Sequence, residues 1–437
     1  MTSTKFKFTT VTAVVIANMV GTGVFTSLGF QLLEIQSGFV ILVLWGVGGL
    51  IALCGAMTYA ELGAALPRSG GEYNFLARIY HPAAGFASGW TSVTIGFAGP
   101  TALAAMTFAA YVTSIVPGFS YEWIEKAIAV GLVAILTVIH GSSRRNSGGL
   151  QVIFTILKVA VIVVFCLAAV VVVDSPQPVQ FFPSSGDGAL VTGGAFAVSL
   201  IYVSYAYTGW NAATYLSGEL EDPQRTLPGI LLTGTLIVTV LYVALNFTFL
   251  YAAPVESMKG QVEIGFIAAQ SVFGDLGARF TGIVLASLLI STVSAMTIAG
   301  PRVLQVIGED FRVLSFLSYT NKDGIPSRAI YLQSLLAIVF ILSSSFESVL
   351  VFAGFTLALN SFATVLSVFF LRRQQPDLPR PYRTFLFPIP PVIYLVLTGW
   401  TLWFVLMNRP VEGLFGIGII GSGLLVYFFS RGRRHVM

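Results

Sequence analysis

The hydrophobic positions of this chain come in long runs, not in alternation with polar ones. Each run is about 20 residues, the length a helix needs to cross a hydrocarbon layer. The runs lie near 10–33, 38–65, 84–115, 124–140, 149–173 and 190–217, then near 228–252, 277–299, 328–345, 348–371, 386–407 and 412–430. The period-two pattern of a membrane barrel does not appear in them. The pattern predicts an all-α membrane protein of about twelve spans, one polytopic domain over residues 1–437.

Composition strengthens this reading. Of the 437 residues, 56% are hydrophobic and 10% are Asp, Glu, Lys or Arg, against about 25% charged residues in soluble domains. So few charges cannot coat a water-facing surface. The outer surface is expected to meet membrane lipid, where only structures that satisfy their own backbone hydrogen bonds persist. The net charge of +4 is not a nucleic-acid signature, because the basic residues sit in short loops between apolar runs. Cys54 and Cys166 both fall inside predicted spans, so no disulfide framework, metal cluster or cofactor site is expected. The opening MTSTKFKF leads into a segment too long for a signal-peptide core, so the first run is read as a span and not as a cleavable signal.

The lysines and arginines then orient the chain. Lys126, Lys259, Arg279 and Arg409 stand alone on one set of alternate loops, and Lys158 lies inside span five. All the others, among them Lys5, Arg144, Arg145, Arg372, Arg380 and Arg431, fall on the opposite set. By the positive-inside rule the crowded side is expected to be cytoplasmic, with both termini there. A cell membrane, inner or plasma, is the expected location.

Two spans are interrupted. Span one reads VVIANMVGTGVFTSLGF, with Gly21, Thr22 and Gly23 at its centre. Span six has Tyr207, Thr208, Gly209, Trp210 and Asn211 at mid-membrane. Glycine costs about 1 kcal/mol relative to alanine in a helix interior, and it permits a break. Either stretch alone also fits helix packing through small residues. The two lie five spans apart, and an odd offset sends a second copy of a five-helix unit into the membrane inverted. Paired interruptions of this kind point to a transporter binding site. A broken helix offers free N–H groups to a carboxylate and free carbonyls to an ammonium. An α-amino acid carries both groups on one carbon. The apolar cores of spans one, three, six, eight and ten hold no charged residue, so a charged cargo side chain would lack a partner. The expected cargo is a neutral amino acid.

The motifs MVGTGVF, YAELGAALPRSGGEY, YAYTGWN and GELEDPQRTLP resemble those of the amino acid–polyamine–organocation superfamily, most closely its L-amino acid transporter branch. The resemblance implies a LeuT-type fold: a five-helix repeat over 9–173, its inverted copy over 190–371, and two trailing helices in 385–431, working by alternating access. It implies that N–H groups around Gly21, Thr22 and Gly23 take the cargo carboxylate. Carbonyls near Met19 and of Tyr205, Ala206 and Thr208 would take the ammonium, with Tyr205 as a lid and Trp210 and Asn211 on the far side of the pocket. Lys158 matches a span-five lysine whose ammonium takes the place of a sodium ion, bridging span one to span eight at Ser291 and Thr292. Sodium-independent exchange or uniport follows. The loop SIVPGFSYEWIEK lacks the cysteine that bonds a heavy chain in animal relatives, so no disulfide-linked partner is expected. No acidic residue is expected in or near the site, in agreement with a neutral cargo.

Other candidates keep two readings. Glu61 and Glu219 either form a gate with nearby arginines or are solvated helix ends. The loop with Arg372, Arg373, Arg380 and Arg383 touches headgroups or sets topology. His140 is read as interfacial, and RSGGEYNF as a structural element. Among functions, a proton-coupled symporter with Lys158 as carrier is the runner-up. A membrane enzyme is disfavoured because no span holds HExxH, paired carboxylates or a Ser/His dyad. A channel would need a filter motif, and none repeats here.

Overall fold

A chain that faces lipid must satisfy its backbone within each segment, and helices do so alone. The computed structural model describes residues 7–430 apart from 69, 117, 119, 120 and 143–147, and the backbone alone of 148–152, 216, 218, 219, 312 and 313. Lys5, Arg144, Arg145 and Arg431 lie outside the described residues, as does the side chain of Glu219. Among the described residues every regular element is helical. Ten helices are long and apolar enough to cross a membrane, and two shorter apolar helices, Gly194–Tyr207 and Ser327–Ser343, coincide with the sixth and ninth expected runs.

Three segments depart from the reading of the sequence. The third run starts at Pro82 and carries a π-helical turn, Ser92–Gly96, before continuing as Ala98–Ile115. The eighth is far longer than 277–299: helix spans Ile264–Asp310, with a non-helical kink at Gly274. Hydropathy marks the lipid-facing stretch, not the helix ends, and Asp275 and Arg279 cut the apolar run where the helix goes on. The sixth breaks after Tyr207, as its sequence reads, but beyond the irregular stretch it goes on as a 3-10 helix, Ala212–Glu219, and not as an α-helix.

Burial sorts the spans. In the most apolar part of Phe8–Gln31, 72% of residues are buried inside the protein, against 28% for Glu122–Ser142, Ile153–Val172 and Pro410–Ser430. The interrupted first helix is therefore interior, while the other three form an apolar rim with Val164, Val171 and Phe429 turned outward. Four pairs of helices five spans apart pack on one another. Gly23–Gln31 meets Gly194–Tyr207, Gly38–Ala65 meets Pro223–Ala252, Ala98–Ile115 meets Ile264–Asp310, and Glu122–Ser142 meets Ser327–Ser343.

At the arginine-rich side, span two is fastened to span ten. Glu61 is fully buried, and Arg372 grips it with two parallel bonds, Nε to Oε1 at 2.8 Å and Nη2 to Oε2 at 2.7 Å. The Thr384 N–H donates to Oε2 at 2.8 Å, and Arg380 stands 3.7 Å from Oε1. Of the two readings of Glu61, pairing with nearby arginines holds and the solvated helix end does not. Arg372 and Arg380 turn inward onto it, which corrects the reading that they face headgroups.

Candidate substrate-binding site

The two interruptions meet. Span one is helical over Phe8–Met19, breaks over residues 20–22, and resumes as Gly23–Gln31. A Cβ at Gly23 would sit 2.5 Å from the Ala206 Cα, so the two chains touch at backbone distance. Gly209 adopts φ +106°, and a Cβ there would lie 2.8 Å from the Asn18 carbonyl group. Glycine is required at both positions, by contact at the first and by contact and dihedral at the second. Gly21 differs, with nothing nearer than the Met19 oxygen at 3.8 Å.

The N–H side of the break is partly free. Helix Gly23–Gln31 opens with N–H groups that have no partner within the helix, as every helix does. The Gly21 N–H, expected to serve a carboxylate, instead donates to the Met19 oxygen at 2.7 Å. That is a correction to the expected donor set, and it leaves Thr22 and Gly23 at the helix start.

On the carbonyl side, two of the expected acceptors converge. The Tyr242 hydroxyl, on helix Pro223–Ala252, lies 2.5 Å from the Met19 oxygen and 3.1 Å from the Ala206 oxygen. It carries one proton and donates to one carbonyl at a time. Tyr242 is fully buried, and Trp45 and Tyr207 pack on its ring with centroids 5.6 and 5.0 Å away. The Tyr205 carbonyl is taken by the Thr208 N–H at 2.9 Å, and the Thr208 hydroxyl donates back to Ser204. Tyr242 was not singled out from the sequence. Its only signal there is a hydroxyl in the middle of an apolar run.

Lys158 is buried, and its ammonium donates to the Thr292 hydroxyl at 2.8 Å. Among the described residues no carboxylate pairs with it. It lines a small cavity together with Val20, Gly21 and Thr292, with its given hydrogen bond on the span-eight side. Ser291 is buried beside Thr292 but is not on that cavity wall. His140, read as interfacial, is half-buried with Nε2 2.8 Å from the Ser294 hydroxyl.

Trp210 packs edge-on against Tyr59 with centroids 4.6 Å apart, and a Cβ at Gly55 would meet its ring. Asn211 turns its amide onto Glu72, Nδ2 to Oε1 at 3.2 Å. Glu72 overturns the expectation that no acidic residue approaches the site. It opens the helix Glu72–Ile79 and is 4% exposed. Burial pushes its carboxyl above the usual carboxylate range, and hydrogen bonds from Tyr59, Ser361, Tyr215 and Asn360 pull the other way. Because donors already fill both oxygens, Glu72 is not a free counter-ion for a cationic cargo.

The chain has relatives along nearly its whole length. A b(0,+)-type amino acid transporter 1 from Mus musculus is 27% identical over 423 residues, covering 95% of this chain and 85% of the relative. A large neutral amino acids transporter small subunit 2, also from Mus musculus, is 28% identical over 426 residues, covering 95% and 79%. A human b(0,+)-type amino acid transporter 1 is 26% identical over 428 residues, covering 95% and 85%. The family model described as amino acid permease matches residues 6–427, and across that length the chain belongs to the amino acid permease family.

Proposed function

We propose that this permease carries small neutral L-amino acids by alternating access, independently of sodium, as an exchanger or uniporter. The observation that carries the reading is the meeting of the two breaks. Free N–H groups at the start of Gly23–Gln31 suit a carboxylate, and the Met19 and Ala206 carbonyls gathered at Tyr242 suit an ammonium. A cationic side chain finds no free counter-ion in Glu72, whose oxygens are filled by donors, so a neutral side chain fits. One relative's name specifies large neutral amino acids, which agrees on charge and leaves size to be measured.

The packing of helices five spans apart supports a repeat of 9–173 by 190–371, with trailing helices in 385–431. The arginine-rich side is then cytoplasmic and carries both termini. In a background without Cys54 and Cys166, a cysteine at position 259 should label from outside intact cells and one at position 383 should not. The reverse pattern sinks the orientation. The loop after span three has no cysteine at all, so the protein works without a disulfide-linked partner.

The transport test is uptake of labelled alanine, serine, threonine and leucine into proteoliposomes. Internal amino acid should accelerate uptake under exchange, and sodium should be replaceable by choline. A strict sodium requirement, or no uptake of any of the four, overturns the reading. Among the described residues Lys158 has a single, neutral acceptor, which favours proton coupling as the second reading. Acceleration by a pH gradient in place of internal cargo selects it.

A further inference from the structure

A buried carboxylate ordinarily sits beside a cation. Among the described residues no lysine or arginine pairs with Glu72. Its oxygens are filled by five neutral donors from three spans. Oε1 accepts from Tyr59 at 2.5 Å, Ser361 at 2.8 Å and Asn211 at 3.2 Å. Oε2 accepts from Asn360 at 2.5 Å and Tyr215 at 3.4 Å. Tyr59 belongs to span two, Asn211 and Tyr215 to the broken span six, and Asn360 and Ser361 to span ten.

The donors differ in what they can tolerate. A hydroxyl rotates and can become an acceptor, whereas an amide NH2 only donates and must turn over to present oxygen. A carboxylate at this position therefore fixes the face of Asn211. With Nδ2 turned onto Glu72, the carbonyl oxygen is fixed on the other branch of the amide, and Asn211 has it to offer beside its second N–H. We propose that Glu72 is the positioning residue of the span-six break: it holds Asn211 as an acceptor for a donor on the cargo and ties the break to span ten. The donor class is an ammonium, or the hydroxyl or amide of a small polar side chain. The proposal uses the reading of Asn211 as part of the cargo site.

Glutamine is the informative replacement, since it keeps the shape but brings an amide nitrogen against donors that need an acceptor. Glu72→Gln should raise KM for serine about tenfold while kcat changes less than about threefold, the scale of one mispaired buried polar contact. Glu72→Asp, which keeps the carboxylate on a shorter stem, should recover part of that loss. Hydrogen–deuterium exchange supplies a readout without cargo: residues 208–220 should exchange about tenfold faster in Glu72→Gln, since freeing the segment lowers its opening cost. Wild-type KM together with wild-type protection in Glu72→Gln overturns the proposal. If the wild type takes up no neutral amino acid, the transport reading fails separately, and unchanged protection still decides against Glu72. Should Glu72→Gln not fold, Asn360→Ala keeps the carboxylate and removes one span-ten anchor. It should loosen 208–220 in the same direction, and unchanged protection there counts against the proposal.

Discussion

Glu61 and Glu72 flank one loop, and both are buried, yet they are held by opposite means. Glu61 is gripped by a bidentate arginine, with a second arginine and a backbone N–H beside it. Glu72 is surrounded by hydroxyls and amides. Both reach span ten, through Arg372 in one case and through Asn360 and Ser361 in the other. A charge held by a countercharge is costly to part, because separation leaves two uncompensated ions. A charge held by several dipoles can give them up one at a time, each worth about 1 kcal/mol. The difference separates a fixed brace at the arginine-rich side from a region, including both breaks, Lys158 and Tyr242, whose contacts are neutral and individually weak. The proposed alternating access requires one part to stay rigid and another to rearrange, and the chemistry of the two regions divides along that line.

The largest expected effect tests the brace. Glu61→Gln leaves Arg372 and the well-buried Arg380 without their counter-ion. A loss of about 3 kcal/mol in stability is expected, at the low end for a broken buried pair because Arg372 is partly exposed. It should appear as a lower melting temperature in detergent and reduced yield. An unchanged melting temperature breaks the comparison, since Glu61 would then be no more structural than Glu72.

The second effect belongs to the break. Gly23→Ala puts a methyl 2.5 Å from the Ala206 Cα, where backbone and not a flexible side chain must move. Forcing the breaks apart should cost about 2 kcal/mol, in the range of core overpacking. The expected result is inserted protein with most binding of serine lost, read by isothermal titration of purified material. Full binding would show that the close approach of the two breaks is not needed for the site.

Lys158 sharpens the contrast from the cationic side, because it too relies on a neutral acceptor. Lys158→Ala should lower uptake about tenfold with expression and melting temperature held near wild type, as expected of a buried intramembrane charge retained for function. If the protein instead fails to accumulate, Lys158 belongs with Glu61 as a brace.

How much of this was readable in the sequence follows the same division. The twelve apolar runs and both breaks are local signals, carried by hydropathy and by Gly21, Gly23 and Gly209, and the structure has helices and interruptions at those positions. Lys158 was legible because a charge that deep in a span is costly and needs a partner, and Thr292 was named with it. Glu72 was not legible. It lies in a loop rich in glycine, where a carboxylate is usually solvated, and its donors Asn211, Asn360 and Ser361 come from distant helices. Tyr242 was missed for the same reason: only the fold brings Met19 and Ala206 to one hydroxyl. Arg372 and Arg380 looked like topology signals because charge counting ignores where a side chain turns.

The smallest effect separates two glycines that the sequence treats alike. Gly21 and Gly23 stand in the same GTG triplet, and both were read as sources of free N–H groups. In the structure only Gly23 is pressed against a neighbouring backbone. Gly21 has no left-handed dihedral, and a Cβ there would meet the Met19 oxygen at an ordinary 3.8 Å. Its N–H is already engaged by Met19. Gly21→Ala should therefore fold normally, with stability unchanged or raised by about 0.5 kcal/mol through the stiffer unfolded chain. The methyl would border the small cavity shared with Lys158 and Thr292, so a change of less than about threefold in KM is expected, under the 1.4 kcal/mol of a tenfold effect. Serine uptake kinetics on Gly21→Ala and Gly23→Ala side by side make the measurement. A Gly21→Ala loss as large as that of Gly23→Ala would mean that the Gly21 N–H leaves Met19 and takes the carboxylate when cargo binds. Position 21 would then belong to the part of the molecule that rearranges.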